Sequence, residues 1–121
     1  MVNMKKLFAV LLITICAIVA QAQSGHSVAL TWTASPDAAA NPTLSYNVYR
    51  ATTACNSPSL NLVKVGSVAA GSLAFSDSAV SVGNSYCYAV TSLLNGLESV
   101  NSNTVQAVIL PSPPTITVKV Q

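Results

Sequence analysis

The chain has few of the ionisable side chains that catalysis and metal binding need. Only 7% of its 121 residues are charged, its single histidine is His26, and its carboxylates are Asp37, Asp77 and Glu98. One histidine without a neighbouring aspartate does not make a Ser-His-Asp triad, and a glycosidase needs two carboxylates that face each other. The chain also has no glycine-rich phosphate loop. We therefore predict a protein that is not an enzyme and binds no cofactor or metal.

The chain also lacks an apolar run long enough to span a membrane. Its longest run, residues 7–20, has about 14 residues, whereas a spanning helix needs about 20. Two lysines precede this run, and an Ala-Gln-Ala sequence ends at Ala22. A basic start, an apolar run and an A-x-A site are typical of a secretory signal peptide. We predict a signal helix over residues 1–22, cleavage near Ala22, and a protein that is secreted or held in the cell envelope (the periplasm or the cell surface), with no membrane segment in its mature form.

Cleavage would also remove the excess of positive charge. Two of the five basic residues precede the cleavage site; three basic and three acidic residues remain, so the mature chain has a net charge of zero. Phosphate binding needs clustered Lys and Arg, and we therefore expect no nucleic-acid partner.

Cysteine is scarce, and its positions fit an oxidising compartment. Cys16 lies in the signal segment, where it suggests a lipoprotein signal as an alternative, although the bulky Ile15 stands where such a signal needs a small residue. The mature chain keeps only Cys55 and Cys87. One cysteine pair in an exported protein indicates one disulfide, and about 99 mature residues form one domain of modest stability that a disulfide would help.

What the mature sequence does contain is a series of short β patterns separated by turn signals. No stretch of ten residues carries a helical apolar period. Short strands about ten residues apart, rich in Val, Thr and Tyr, predict an all-β sandwich. The predicted strands are Ser27–Thr33, Ser45–Thr52, Leu60–Val65, Ser72–Asp77, Ser85–Val90 and Asn103–Leu110.

Several motifs narrow this prediction from a fold class to one protein family. Trp32 ends the first strand pattern, YNVYR follows a variable loop, and residues 80–90 read V-x-x-G-x-x-Y-x-Y-x-V. Together with HSVALTWTASPD and ESVNSNTVQAVI, these segments resemble a bacterial fibronectin type III domain, an immunoglobulin-like antiparallel β-sandwich. The resemblance runs from about His26 to Leu110, within a predicted domain of residues 23–110.

The resemblance assigns roles to the aromatic residues and places the cysteines. It implies that Tyr86 forms a tyrosine corner, in which its hydroxyl bonds to the backbone just upstream. Trp32, Tyr46 and Tyr88 are expected to contribute to the core. In this topology Cys55 lies in the loop that leaves strand C, close to the outward-facing Cys87 at the start of strand F, which favours a Cys55–Cys87 bond.

The sequence departs from the family at one edge of the sandwich. The family opens with a strand A, but only the four residues QSGH separate the predicted cleavage site from the strand pattern that carries Trp32. Residues 111–121, PSPPTITVKVQ, resemble such a strand with its proline lead. Three interpretations of this segment remain open: a tail or linker, the start of a further domain, or a strand, formed by Thr115–Val120, that is donated to a neighbouring copy.

The loop predicted over Ser92–Ser99 carries three leucines, Leu93, Leu94 and Leu97, around an Asn-Gly turn. Apolar residues at a turn either cover the end of the core or mark a contact patch. The resemblance therefore implies an exported, non-catalytic spacer, adhesion or protein-interaction module, whose partner is an unknown protein or surface glycan. The alternatives are a structural subunit that assembles by donating its C-terminal strand and a carbohydrate-binding accessory module.

Overall fold

The structure is a computed structural model that describes residues 25–121, so the predicted signal helix over residues 1–22 lies outside it. Within the described residues, seven strands form two sheets. The strands are β1 Val28–Thr31, β2 Ser45–Ala51, β3 Val63–Val68, β4 Ala74–Asp77, β5 Ser85–Leu94, β6 Leu97–Glu98 and β7 Val105–Val108. Every strand pair is antiparallel.

The two sheets differ in size. The larger has the order β3-β2-β5, and both β6 and β7 pair with the far side of β5, β6 near its end and β7 near its start. The smaller sheet consists of β1 and β4 alone. The predicted all-β antiparallel sandwich is confirmed, and no described residue forms a strand A beside β1.

Alternating side chains on β2 and β5 build the core between the sheets. Val48, Tyr86 and Tyr88 project from these central strands and pack with Ile109, which follows β7; all four are buried. Successive side chains on a strand point to opposite faces, so the Tyr-x-Tyr spacing directs both tyrosines inward. Residues of the smaller sheet complete the cluster, and the ring of Phe75 packs so closely against Gly66 of β3 that a Cβ atom there would overlap it.

The segment predicted as a leucine-bearing loop is a β-hairpin instead. β5 continues to Leu94, and β6 begins at Leu97 after the two-residue turn Asn95-Gly96. Both turn residues have positive φ, 51° and 78°. This is the backbone of a type I′ turn, which joins antiparallel strands without splaying them. The prediction of a loop was therefore wrong for Leu93, Leu94 and Leu97, because the tight turn lets β5 and β6 extend up to it.

The C-terminal residues 111–121 form no strand and are exposed throughout. The chain enters this segment from β7, whose last residue, Val108, pairs with Ser85 at the start of β5. The boundary after Leu110 stays a prediction.

Candidate functional site

Both edges of the smaller sheet lack a partner strand within residues 25–121, and the edge formed by β1 is the one that lies beside a groove. The backbone N–H of Trp32 donates to the carbonyl of Leu73, 3.1 Å away, on the β4 side of β1. Backbone groups of successive strand residues point alternately to the two sides, so those of Ala29 and Thr31 point away from β4. Both residues are exposed. β1 therefore presents unpaired N–H and C=O groups, the feature by which one strand recruits another.

A groove of mixed polar and apolar lining lies beside this open edge. A cavity of about 360 Å³ separates β1 from the start of β7, and its apolar lining includes Leu30, Trp32, Val90 and Val105. A second cavity of about 350 Å³ continues past Trp32 toward the loop after β1. The inward-facing side chains of β1 are only partly buried. We use the name edge groove for these two cavities together with the unpaired side of β1.

Trp32 lines both cavities of the edge groove and packs against the edge of the core. It is half-buried, and its ring packs edge-on against Tyr46 with the centroids 5.6 Å apart. The hydroxyl of Tyr46 accepts a hydrogen bond from the backbone N–H of Ser35 (2.9 Å), which ties the loop after β1 to β2. The indole N–H of Trp32 is buried, and no described residue accepts a hydrogen bond from it. A buried donor without a partner destabilises a fold. The wall of the groove that Trp32 forms therefore contains one hydrogen-bond donor without an acceptor among the described residues.

Cys55 and Cys87 are joined by a disulfide, with their Cα atoms 4.9 Å apart. Cys87 projects from β5 on the face opposite to Tyr86 and Tyr88, yet it is fully buried, because the bond brings the loop after β2 over it. The side chain of Gln106 on β7 fixes the same loop by accepting the N–H of Cys55 at 3.0 Å. The disulfide thus clamps a long loop to the large sheet, away from the edge groove.

At the same end of the sandwich as the disulfide, where β5 begins, Tyr86 holds the loop between β4 and β5. Its hydroxyl accepts the backbone N–H of Ser81, five residues upstream, at 2.9 Å. This is the geometry that defines a tyrosine corner. Arg50 lies over the Tyr86 ring, with its guanidinium carbon 5.4 Å from the centroid.

Asp77 forms a buried polar cluster at this end. Its carboxylate accepts hydrogen bonds from Arg50 and from the hydroxyl of Tyr88, each at 2.8 Å, and from the N–H of Ala79 at 3.0 Å. Burial opposes ionisation, but these hydrogen bonds outweigh it, so the pKa of Asp77 is lowered. Burial and the Asp77 carboxylate raise the pKa of Tyr88. These groups are engaged with one another, and they hold β4 against the large sheet.

Glu98 is the centre of a second polar cluster, on the outer face of the large sheet. One of its oxygens accepts hydrogen bonds from the hydroxyls of Thr91 and Tyr49 and from the side-chain amide of Asn47. The bonds from Thr91, Tyr49 and Asn47 lower the pKa of Glu98 to about 2. Tyr49 is half-buried on this face of the sheet, and its hydroxyl donates to Glu98.

The three leucines around the Asn-Gly turn do not form one exposed patch. Leu93 and Leu94 are half-buried on β5, whereas Leu97 on β6 is 77% exposed. Their role as a contact surface stays a prediction. Within residues 25–121, no three His, Cys, Asp or Glu side chains lie close enough together to hold a metal ion.

The sequence indicated the tyrosine corner and the disulfide, but it did not indicate the edge groove. The residues of the groove come from β1, β5 and the segment before β7, which are far apart in the chain. The one feature of the sequence that pointed to an open edge was the lack of a strand pattern between the predicted cleavage site and the strand that carries Trp32.

Comparison with known proteins identifies the fold. No protein-family model matches the chain, and no curated protein sequence does. Among solved structures, an Fn3-like protein from Clostridium thermocellum is similar at 29% identity and a TM-score of 0.54, covering 77% of this chain and 85% of that one. A fibronectin type III domain from the human KIAA0970 protein is similar in fold at 15% identity and a TM-score of 0.58, covering 77% and 70%. With the strand order and the Tyr86 geometry, these likenesses show that the chain has the fibronectin type III fold.

Proposed function

We propose that the protein is an exported, non-catalytic β-sandwich that acts as a spacer, adhesion or protein-interaction module at the cell surface or outside the cell, and that it binds an extended protein segment in the edge groove. The observation that carries the proposal is the unpaired edge of β1 beside apolar surface. An exposed edge binds an added strand through backbone hydrogen bonds, and alternate side chains of that strand enter the adjacent pockets.

Export is supported by the sequence before Gln23 and by the disulfide. Disulfides persist in oxidising compartments and are rare in the cytosol, and the Cys55–Cys87 bond lies under a loop that it holds in place. In the part of the chain that the structure describes, no helix is long and apolar enough to cross a membrane.

A non-catalytic role is supported by the occupation of the carboxylates. Asp77 is engaged by Arg50 and Tyr88, and Glu98 accepts three donors through one oxygen. These two carboxylates are held by structural partners, whereas the third, Asp37, is exposed in the loop after β1. The cavity between β1 and β7 is lined by apolar, hydroxyl and amide side chains, and the one carboxylate in the described lining of the edge groove is Asp37, beside the second cavity. A single carboxylate with no histidine or second carboxylate in the lining does not make an acid–base pair.

The proposal can be tested by placing a photo-crosslinking amino acid at Thr31, on the open edge, in the full chain expressed by the cells that produce it. The matched control carries the same amino acid at Thr52, which is exposed in the loop after β2. We expect an adduct from position 31 whose linked peptide, identified by mass spectrometry, comes from an extended segment of a protein in the extracellular or envelope fraction. An adduct pattern that is the same for both positions, or none at position 31, would contradict the proposed use of the edge.

A further inference from the structure

The C-terminal segment has the pattern of a strand, but it pairs with no residue in the described range 25–121. Ile116, Val118 and Val120 alternate with polar residues, and they are 88%, 84% and 89% exposed. β-branched residues in strict alternation are typical of a strand with one buried face. Nothing else within residues 25–121 leaves three alternating apolar side chains so exposed. The segment therefore has an apolar face that its own domain does not cover.

This face matches the edge groove in length and spacing. Val28, Leu30 and Trp32 face inward from β1 at the same two-residue interval. In an antiparallel pairing, Ile116 would lie opposite Trp32 and Val120 opposite Val28. Thr117 and Lys119 would then lie opposite Thr31 and Ala29, the residues whose backbone groups are unpaired. Neither Thr117 nor Lys119 is a proline, so both can donate the hydrogen bonds that the edge lacks.

The topology decides whether the segment can come from the same copy. Val28 pairs with Asp77, and the loop after Asp77 leads to Ser85, which pairs with Val108. The C-terminal segment therefore leaves its domain at the end of the sandwich where β1 begins. If it folded back on its own β1, it would run parallel to that strand. An antiparallel strand must enter from the other end of β1, where a second copy can supply it.

The first residues of the segment favour a partner outside the domain. Pro111, Pro113 and Pro114 lack backbone N–H groups and favour an extended, semi-rigid chain. Four residues in this conformation span about 12 Å. A semi-rigid lead of this length can carry Thr115–Val120 to the edge of a second copy.

We propose that residues Thr115–Val120 of one copy fill the edge groove of a second copy as an antiparallel strand. This inference rests on the proposed function and names its partner: another molecule of this chain. The donated and receiving surfaces are different, so each copy can give and receive, and the contact is head-to-tail. Contacts of this type produce open chains, or rings where the rotation closes.

The test compares two single substitutions in the full chain, purified from the secreted fraction. Val118→Lys places a charge on the apolar face of the segment, and Thr117→Lys places the same charge on its polar face, one residue away. Light scattering after size exclusion, over a range of concentrations, measures the mass. We expect the parent chain and T117K to reach at least about twice the monomer mass as concentration rises. V118K should associate about tenfold to a hundredfold more weakly, because a Val side chain is no longer buried.

A complementation experiment tests the receiving edge. Thr31→Pro removes one unpaired N–H from β1 without removing a bond to β4, and proline is tolerated on an edge strand. T31P keeps its donor segment and V118K keeps its groove, so we expect each to be monomeric alone and their mixture to form a dimer of about twice the monomer mass. If T31P does not fold, the comparison of V118K with T117K decides.

Two results would overturn strand donation. One is a parent chain that stays monomeric at every concentration, and the other is equal association of V118K and T117K. The crosslinking at Thr31 separates these failures from a failure of the proposed function. A linked peptide from residues 115–120 supports self-assembly, whereas one from another protein leaves the proposed function intact and removes the second copy as the partner.

Discussion

Removing the disulfide should lower the stability of the domain by a large fraction of its total. The bond joins residues 32 positions apart. On the chain-entropy model, a loop of this length contributes about 3–4 kcal/mol to the free energy of unfolding, because the bond restricts the unfolded chain. A domain of this size is stable by about 5–15 kcal/mol. The smaller sheet has only two described strands, and its inward-facing residues are only partly buried. We therefore expect no other contact to make up for the stability lost with the disulfide.

The variant C55A/C87A gives the cleanest comparison. Cys87 is fully buried, so alanine is preferred to serine, which would bury a hydroxyl group without a partner. Urea unfolding followed by Trp32 fluorescence should show a fall of about 3–4 kcal/mol in the free energy of unfolding. For a domain of about a hundred residues, this corresponds to a decrease of about 15–20 °C in Tm.

The control is Thr52→Ala, an exposed change in the same loop that leaves the bond intact; it should alter stability by less than about 0.5 kcal/mol. The reasoning would be refuted if C55A/C87A unfolded within about 1 kcal/mol of the parent. In that case, breaking the disulfide would not raise the conformational entropy of the unfolded chain by the amount that the chain-entropy model assigns.

Three further changes test the other contacts. Tyr86→Phe removes the acceptor of a loop N–H and should lower the free energy of unfolding by about 1–3 kcal/mol in urea denaturation. Gly66→Ala places a methyl group against the Phe75 ring and should cost about 1–3 kcal/mol through overpacking, measured as a lower Tm. NMR titration should find the pKa of Glu98 at about 2, and Thr91→Val should raise it. Because this pKa is lowered on folding, ionised Glu98 stabilises the fold above the ordinary glutamate pKa, and that contribution disappears as the pH falls toward about 2.

Each of these predictions has a result that contradicts it. An unchanged unfolding midpoint in Y86F would mean that the loop N–H finds another acceptor. A G66A variant as stable as the parent would show that the neighbouring ring moves without loss. A Glu98 carboxylate that titrates near its ordinary pKa would show that the three donors do not hold it in solution.

The local chemistry of the sandwich could be read from the sequence because it depends on short spacings. Alternation over Tyr86 and Tyr88 directs both rings to one face, and Asn95-Gly96 is the strongest short signal for a type I′ turn. The cysteine pairing followed from a count of two. The error over the leucines was local for the same reason. The Asn-Gly turn was identified, but the strand before it was predicted to end at Val90 and the short strand after it was not predicted.

The polar clusters could not be predicted from the sequence. Asp77 meets Arg50 across 27 positions, and Glu98 meets Asn47 across 51. No spacing rule relates such positions, since their proximity depends on how the strands are ordered in the two sheets. The same limitation applies to the exposure of Trp32, which packs against the core as expected but is only half-buried.

By itself, then, the sequence determined the strand periodicity, the inward tyrosines and the one cysteine pair. It also showed that no strand pattern lies between the predicted cleavage site and the strand that carries Trp32. Only the tertiary structure decided that this absence leaves an edge groove, because the groove is made of β1, β5 and the segment before β7 brought together by folding. It also decided the direction of the C-terminal segment. The end at which a strand leaves a sandwich is set by the pairing of β7 with β5 and of β1 with β4, which no local pattern encodes.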